Sequence, residues 1–483
     1  MATDDVKEIP EKPITHHDGG DISRYHMEKH PVRELPYDTQ SICPECFLSH
    51  DEVHVIDATL YEENGKVMYK KTCEKHGEFI DVYWGDVDMF NRAQTYWYKS
   101  VGLDNPRTES EKGCPEDCGQ CPDHKSHTAL ALLDVTNRCN LRCPICFAVA
   151  AEGGTVYEPE PEQVLEMMRN LRRNQPVPAP AIQFAGGEPT VSKHLPQYIR
   201  WAKQLGFKNV QIASNAIRIG KSKKYLQELR DAGLSTIYMQ FDGVTPGPYL
   251  EARGTDILPL KKQAIQHARE IGMHSLILVP TVVRGVNEDQ LGDIIRFAID
   301  NRDVVRCVNF QPVSITGRID HTARNEMRIT IPDAIHLIKE QTDGKIPSEA
   351  WYPVPSMMPV GRALGFIRKG GPQVELSCHF ACGMATFLFI DEDGNYEPIT
   401  DVMEMDKFLE ILESIANLYA DEKKGASKRA KAKLAAGARH FKKKTILKDI
   451  INAFLSRGDY DSLSQFMNRI IMLGMMHFQD PYN

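Results

Sequence analysis

From residue 128 the chain alternates between two hydrophobic periods. Short apolar runs cover 129–135, 181–185, 208–213, 236–241, 275–281 and 304–311. Each is short and bounded by turn residues, which reads as a buried strand. Between them apolar residues recur every three or four positions, over 161–174, 195–205, 221–232, 259–271 and 288–301. That spacing gathers them on one face of a helix, and Pro161 marks the start of the first. Six strand–helix units predict an α/β fold, a parallel sheet curled into a partial (βα)6 TIM-like barrel. Chemistry in such barrels sits at the carboxyl ends of the strands.

The flanks read differently. Residues 1–35 are polar, with Pro10, Pro13, His16 and His17, and predict a loosely ordered arm. Residues 36–105 predict a small metal-binding domain with a hairpin, 53–60 against 66–71, turning through Asn64-Gly65. Residues 106–127 form a connector rich in Cys, Pro and Gly, and the barrel spans 128–345. Residues 346–483 predict an α-rich region that opens with a hairpin turning at Asp391-Glu392-Asp393-Gly394. Helical spacing is expected over 404–477. Its apolar residues are Ile446, Leu447, Ile450, Ile451, Phe454, Leu455, Phe466, Met467, Ile470, Ile471, Leu473, Met475 and Met476. They pack a core or line a lipid tunnel. Residues 423–444 carry ten Lys or Arg and no Asp or Glu, which reads as a solvated face or a contact to anionic headgroups.

Composition narrows the class. A net charge of −8 argues against a general nucleic-acid binder. No apolar stretch reaches the ~18 residues of a membrane span. Met1-Ala2-Thr3-Asp4-Asp5 lacks the basic start of a signal peptide. The expected location is cytoplasmic, with the basic run as the point of any peripheral membrane contact. In a reducing compartment cysteines read as metal ligands rather than disulfides. Nine of the twelve fall in three clusters before residue 147.

Cys139, Cys143 and Cys146 stand in the order Cys-x3-Cys-x2-Cys directly after the first barrel strand. Three thiolates on one loop can hold three irons of a 4Fe–4S cluster and leave the fourth open to a small molecule. Gly186-Gly187-Glu188-Pro189 follows the second strand. Its glycines allow close backbone approach, and Glu188 offers an anionic acceptor. Ser214 and Asn215, Gln240 and Asp242, Thr281, Arg284 and Gly285, and Gln311 end later strands, as turn residues or as contacts to cofactor or substrate. Cys43, Cys46, Cys73 and His76 form two knuckles suited to one tetrahedral zinc or iron ion. That ion either staples a small domain or relays electrons. Cys114, Cys118 and Cys121 repeat the x3, x2 spacing and fit an auxiliary 4Fe–4S cluster. Its fourth ligand is Cys307, His124 or an outside group, and Cys307 also reads as a core thiol.

The cysteine loop with its Gly-Gly-Glu-Pro turn resembles the signature of the radical S-adenosylmethionine (SAM) enzymes. The resemblance implies that Cys139, Cys143 and Cys146 carry the cluster that cleaves SAM to a 5′-deoxyadenosyl radical. It implies that Gly186 to Pro189 meet the SAM amino group, and Ser214 and Asn215 its ribose and carboxylate. Gln240, Asp242 and Gln311 would face the mouth, while Thr281 and Arg284 take the adenine and carboxylate. Cys378 and Cys382 before a hairpin resemble the C-terminal auxiliary-cluster modules of these enzymes, but Glu397-Pro398-Ile399-Thr400 stand where another cysteine is usual. Related full-length chains continue with further cysteines, so a shortened version is expected. The layout resembles a subgroup that couples archaeal ether lipids and was once described as pterin methyltransferases. That implies an archaeal ether lipid substrate whose isoprenoid chains are joined by a carbon–carbon bond, and an electron donor such as ferredoxin. Radical methylation of a pterin is the rival activity.

Overall fold

The structure, a computed structural model, describes residues 21–50, 53–114, 116–150, 155–367, 373–421, 425–443, 446 and 469–483. His16, His17 and the part of the expected apolar helix over 447–468 lie outside them.

Four antiparallel strands form an N-terminal ribbon in the order β1 (Tyr37–Ile42), β2 (Val55–Glu63), β3 (Lys66–Cys73), β4 (Gly77–Trp84). In β3, Val67, Tyr69, Lys71 and Cys73 are buried and alternate with outward residues, as a one-sided sheet requires. The β2–β3 turn has Asn64 at φ 53° and Gly65 at φ 75°, the left-handed pair that suits a two-residue hairpin. The expected hairpin is present, and β1 and β4 flank it.

The barrel wall is parallel: β5 (Ala131–Asp134), β6 (Ala181–Ala185), β7 (Asn209–Ser214), β8 (Thr236–Gln240), β9 (Leu276–Val279) and, past the short β10 (Thr281–Val282), β11 (Val305–Pro312). Ile182, Phe184, Val210, Ile212, Ile237, Met239, Leu276, Leu278, Val308 and Phe310 alternate along these strands and fill the core beneath the helices. By the same alternation Gln183, Gln211, Tyr238 and Asn309 face the lumen.

The wall does not stop at six strands. It continues through β12 (Tyr352–Pro353), β13 (Gly383–Ile390), β14 (Tyr396–Pro398) and β15 (Ile470–Met476). β15 lies parallel to β11 and antiparallel to β13. The helix expected across 470–476 is therefore a strand. Five of its seven residues are buried, on both faces, so its run is nearly continuous and shows no two-residue period. Gly474 lies close against β11: a Cβ there would stand 2.6 Å from Asn309 Oδ1 and displace that side chain. Helices Met358–Ile367, Met405–Ala420 and Ala426–Gly437 build a second core beyond this sheet. In the last of them Ala430 and Leu434 are buried while Lys428, Arg429, Lys431 and Lys433 are exposed. No helix among the described residues is long and apolar enough to cross a membrane.

Residues 477–483 run between ribbon and barrel. Lys71 Nζ donates to Pro481 O (2.8 Å), and buried Arg328 pairs with Asp81 (3.1 Å) and Asp480 (3.1 Å).

Candidate active site

The cysteine loop leaves β5 and is fastened before it reaches Cys139. Thr136 Oγ1 donates to Glu158 (2.7 Å), and Arg138 pairs with the same carboxylate (2.6 Å). The Gly-Gly pair after β6 lies directly against this loop. A Cβ on Gly186 would stand 2.1 Å from Thr136 O, and one on Gly187 2.3 Å from Arg138 O. Gly187 N donates to Thr136 O (2.8 Å) and Glu188 N to Arg138 O (2.9 Å). Here the glycines admit protein backbone and so lock two loops together.

Glu188 is buried. Its carboxylate accepts from Thr190 N (3.1 Å), Thr190 Oγ1 (2.6 Å), Ser214 Oγ (2.8 Å) and Asn215 N (2.7 Å). Asn215 Nδ2 in turn donates to Asn140 Oδ1 in the cysteine loop (2.6 Å). Glu188, Ser214 and Asn215 thus form one buried group beside the cysteines.

Gln240 and Asp242 join it from β8. Asp242 is fully buried and accepts two bonds from Arg253, 2.8 Å from Nε and 2.7 Å from Nη2. Its charge is met within the protein, not presented to the mouth. Thr281 Oγ1 accepts from the same guanidinium (3.0 Å). Gln240 Oε1 accepts from Lys261 Nζ (3.0 Å), which also donates to Asn215 O. Burial pushes the Lys261 pKa down to about 7. Arg253 and Lys261 were invisible in the sequence because they lie on helices, where a charged residue ordinarily reads as surface. Gln311 Nε2 donates to Tyr238 OH within the lumen (2.7 Å). Arg284 is drawn away: its Nε donates to Arg328 O (3.1 Å), and its side chain is half exposed.

Cys139, Cys143 and Cys146 are all partly exposed. Burial pushes the Cys139 thiol up to about 11 and raises that of Cys143, against which the Arg253 guanidinium works. Their three sulfurs are not gathered within 4.8 Å of one another as the ribbon ligands are. In the ribbon, Cys43, Cys46, Cys73 and His76 bring four ligand atoms within 4.8 Å of one another. His76 Nδ1 lies 3.5, 3.6 and 3.7 Å from the sulfurs of Cys43, Cys46 and Cys73. His54 Nδ1, which the spacing did not mark, stands 3.6 Å from Cys46 Sγ and 3.8 Å from Cys73 Sγ.

Cys114 and Cys118 are exposed and Cys121 is buried. Cys307 sits in β11, where burial pushes its thiol up to about 12. Burial does the same to Cys378. A cavity of ≈ 480 Å³ is lined by Cys114, His379, Phe380, Trp97 and Tyr37, so the connector and the Cys378–Cys382 turn meet at one space.

Residues 133–298 match the model of the Radical SAM superfamily, and residues 35–85 that of the HMPTM N-terminal zinc ribbon domain. A 7,8-dihydro-6-hydroxymethylpterin dimethyltransferase of Methanocaldococcus jannaschii is 46% identical over 453 residues, 92% of this chain and 87% of that protein. The chain belongs to the radical SAM superfamily. A GTP 3',8-cyclase of Alkaliphilus metalliredigens is 28% identical over 55% of this chain and 79% of that protein. Streptococcus suis SuiB bound to precursor peptide SuiA superposes at 17% identity and a TM-score of 0.38, over 45% of this chain and 46% of that one. Membership brings a 4Fe–4S cluster and SAM. The relative that spans nearly all of the chain carries the name of a pterin dimethyltransferase, and that overturns both the lipid-coupling expectation and the ether lipid as partner.

Proposed function

We propose that this radical SAM enzyme is a methyltransferase acting on a pterin. The observation that carries the reading is the polar lumen beneath the Glu188 group. Gln183 and Gln211 are neighbours in the β6–β7 register, both about nine-tenths buried or more, and neither Oε1 has a hydrogen-bond partner among the described residues. Across the lumen, Asn309 and Gln311 both donate to Tyr238 OH. A buried amide oxygen left unpaired is costly, and a pterin ring has amide and amino groups that can pair with such side chains. A hydrocarbon chain has none. The name of the 46% identical relative supports the same substrate class.

In this reading Cys139, Cys143 and Cys146 hold the cluster. Gly186, Gly187 and Pro189 shape the loop beside it, and Glu188, Ser214, Asn215, Gln240 and Thr281 surround SAM. When bound, that pair supplies a 5′-deoxyadenosyl radical able to take a hydrogen atom from an unactivated C–H bond. The chain supplies a buried enclosure, fixed by the hydrogen bonds above, and a lumen that orients the ring. Cys43, Cys46, Cys73 and His76 hold a structural zinc ion. Cys114, Cys118 and Cys121 hold an auxiliary cluster close to Cys378 and Cys382, and an external donor such as ferredoxin reduces the protein.

Reconstituted protein, a reductant, 7,8-dihydro-6-hydroxymethylpterin and SAM, one SAM cleaved to methionine and the radical and a second giving up its methyl group, should yield methylated pterin, 5′-deoxyadenosine and S-adenosylhomocysteine by mass spectrometry. Deoxyadenosine without any methylated pterin overturns the reading. In Gln183→Leu/Gln211→Leu the KM for the pterin should rise about 10-fold or more, because a site built for hydrogen bonds discriminates strongly when they are lost.

A further inference from the structure

A second polar junction at the barrel mouth is built around a residue outside every motif. Arg253 ends the helix Gly247–Arg253 after β8 and is nine-tenths buried. Its guanidinium has five N–H groups. Nε donates to Asp242 Oδ2 (2.8 Å), Nη2 to Asp242 Oδ1 (2.7 Å) and Thr281 Oγ1 (3.0 Å), and Nη1 to Ile145 O (2.9 Å). Ile145 lies between Cys143 and Cys146. The bond is returned, since Ile145 N donates to Ala252 O (3.3 Å). Two hydrogen bonds therefore staple the cysteine loop to the end of this helix. Four of the five donors are thus spent on Asp242, Thr281 and the backbone of the cysteine loop.

We propose that Arg253 is a positioning residue for the SAM cluster: through the Ile145 backbone it fixes the Cys143–Cys146 segment against the end of β8. The inference rests on placing the cluster at Cys139, Cys143 and Cys146. The backbone between two ligand cysteines sets where their sulfurs stand, and the groups that orient a ligand tune the centre it holds. Asp242 holds the guanidinium flat and bidentate, a geometry lysine cannot copy.

The test uses the reconstituted full chain. Arg253→Lys keeps the charge but loses the fork; Arg253→Gln loses the charge. Both should bind iron yet show a cluster of shifted midpoint potential and an altered EPR spectrum on SAM addition. Deoxyadenosine formation should fall at least 10-fold, with Lys milder than Gln. Wild-type potential and spectra in both variants overturn the proposal. A second measurement reads proximity rather than activity. Protein labelled with 15N-arginine should show a weak nitrogen coupling to the reduced, SAM-responsive cluster in pulsed EPR, and part of it should vanish in Arg253→Lys, where Arg318 still donates to the loop, at Cys143 O (3.0 Å). No such coupling overturns the proposal. If instead Cys139, Cys143 and Cys146 are all changed to Ala and the SAM-responsive signal persists, the cluster placement itself is wrong.

Discussion

Glu188 shows how one side chain can be both motif and structure. Its buried carboxylate gathers four donors from two strand ends. In Glu188→Gln an amide NH2 must face Thr190, Ser214 or Asn215, donor against donor. That should cost about 1–3 kcal/mol in denaturant unfolding and weaken SAM binding; unchanged stability would mean the carboxylate is not seated as described. Lys261 makes a pH prediction. Folding lowers its pKa from 10.5 to about 7 through burial. Between those values the unfolded chain holds the extra proton, so the contribution to stability rises with pH across the window and is least favourable below it. Compared with Lys261→Met, the wild type should gain stability between pH ~6 and pH ~9. A pH-independent gap between the two proteins rules out a neutral buried lysine.

Among elements, the ribbon is the clearest case of a structure needing its ligands. Cys43, Cys46 and Cys73 form a small core of their own with Ile56, one that a bound metal would tie together. Cys73→Ser should lose the bound ion by elemental analysis and open β1–β4 to hydrogen exchange, while β6–β8 stay protected. Equal protection in both regions would show that the sheet stands without metal. The knuckles were legible because cysteine spacing is chemistry, not propensity. The barrel strands were legible because apolar runs and helical stripes alternate, and the observed β6 has the bounds read from the sequence. β15 was not. Ile470, Ile471, Leu473, Met475 and Met476 fit either period, and only the partners β11 and β13 decide it. At the site, motif residues adjoining the cysteine loop were visible. Arg253, Lys261 and His54 were not, because their partners arrive from distant strands or flank a site already complete.

At the scale of the molecule, β15 and the tail behind it join three parts that the sequence keeps far apart. β15 pairs with β11 on one side and along seven positions with β13 on the other. Behind it, Asp480 accepts from Ile315 N (2.8 Å) and from Arg328, which also holds Asp81 of the ribbon. Two roles can be separated. Asp480→Asn leaves the strand in place and weakens a buried charged junction in which Arg328 keeps Asp81, so a loss of about 1–3 kcal/mol in a soluble protein is expected. Deleting 469–483 is a different injury. It strips both edges that β15 covers and leaves two apolar strands with unpaired backbone, which template association. The truncated chain should aggregate, as read by light scattering, even where Asp480→Asn keeps the particle size of the unaltered protein. A truncation that keeps that size with normal SAM binding would mean that the six parallel strands close the site alone and that β15 only decorates the sheet.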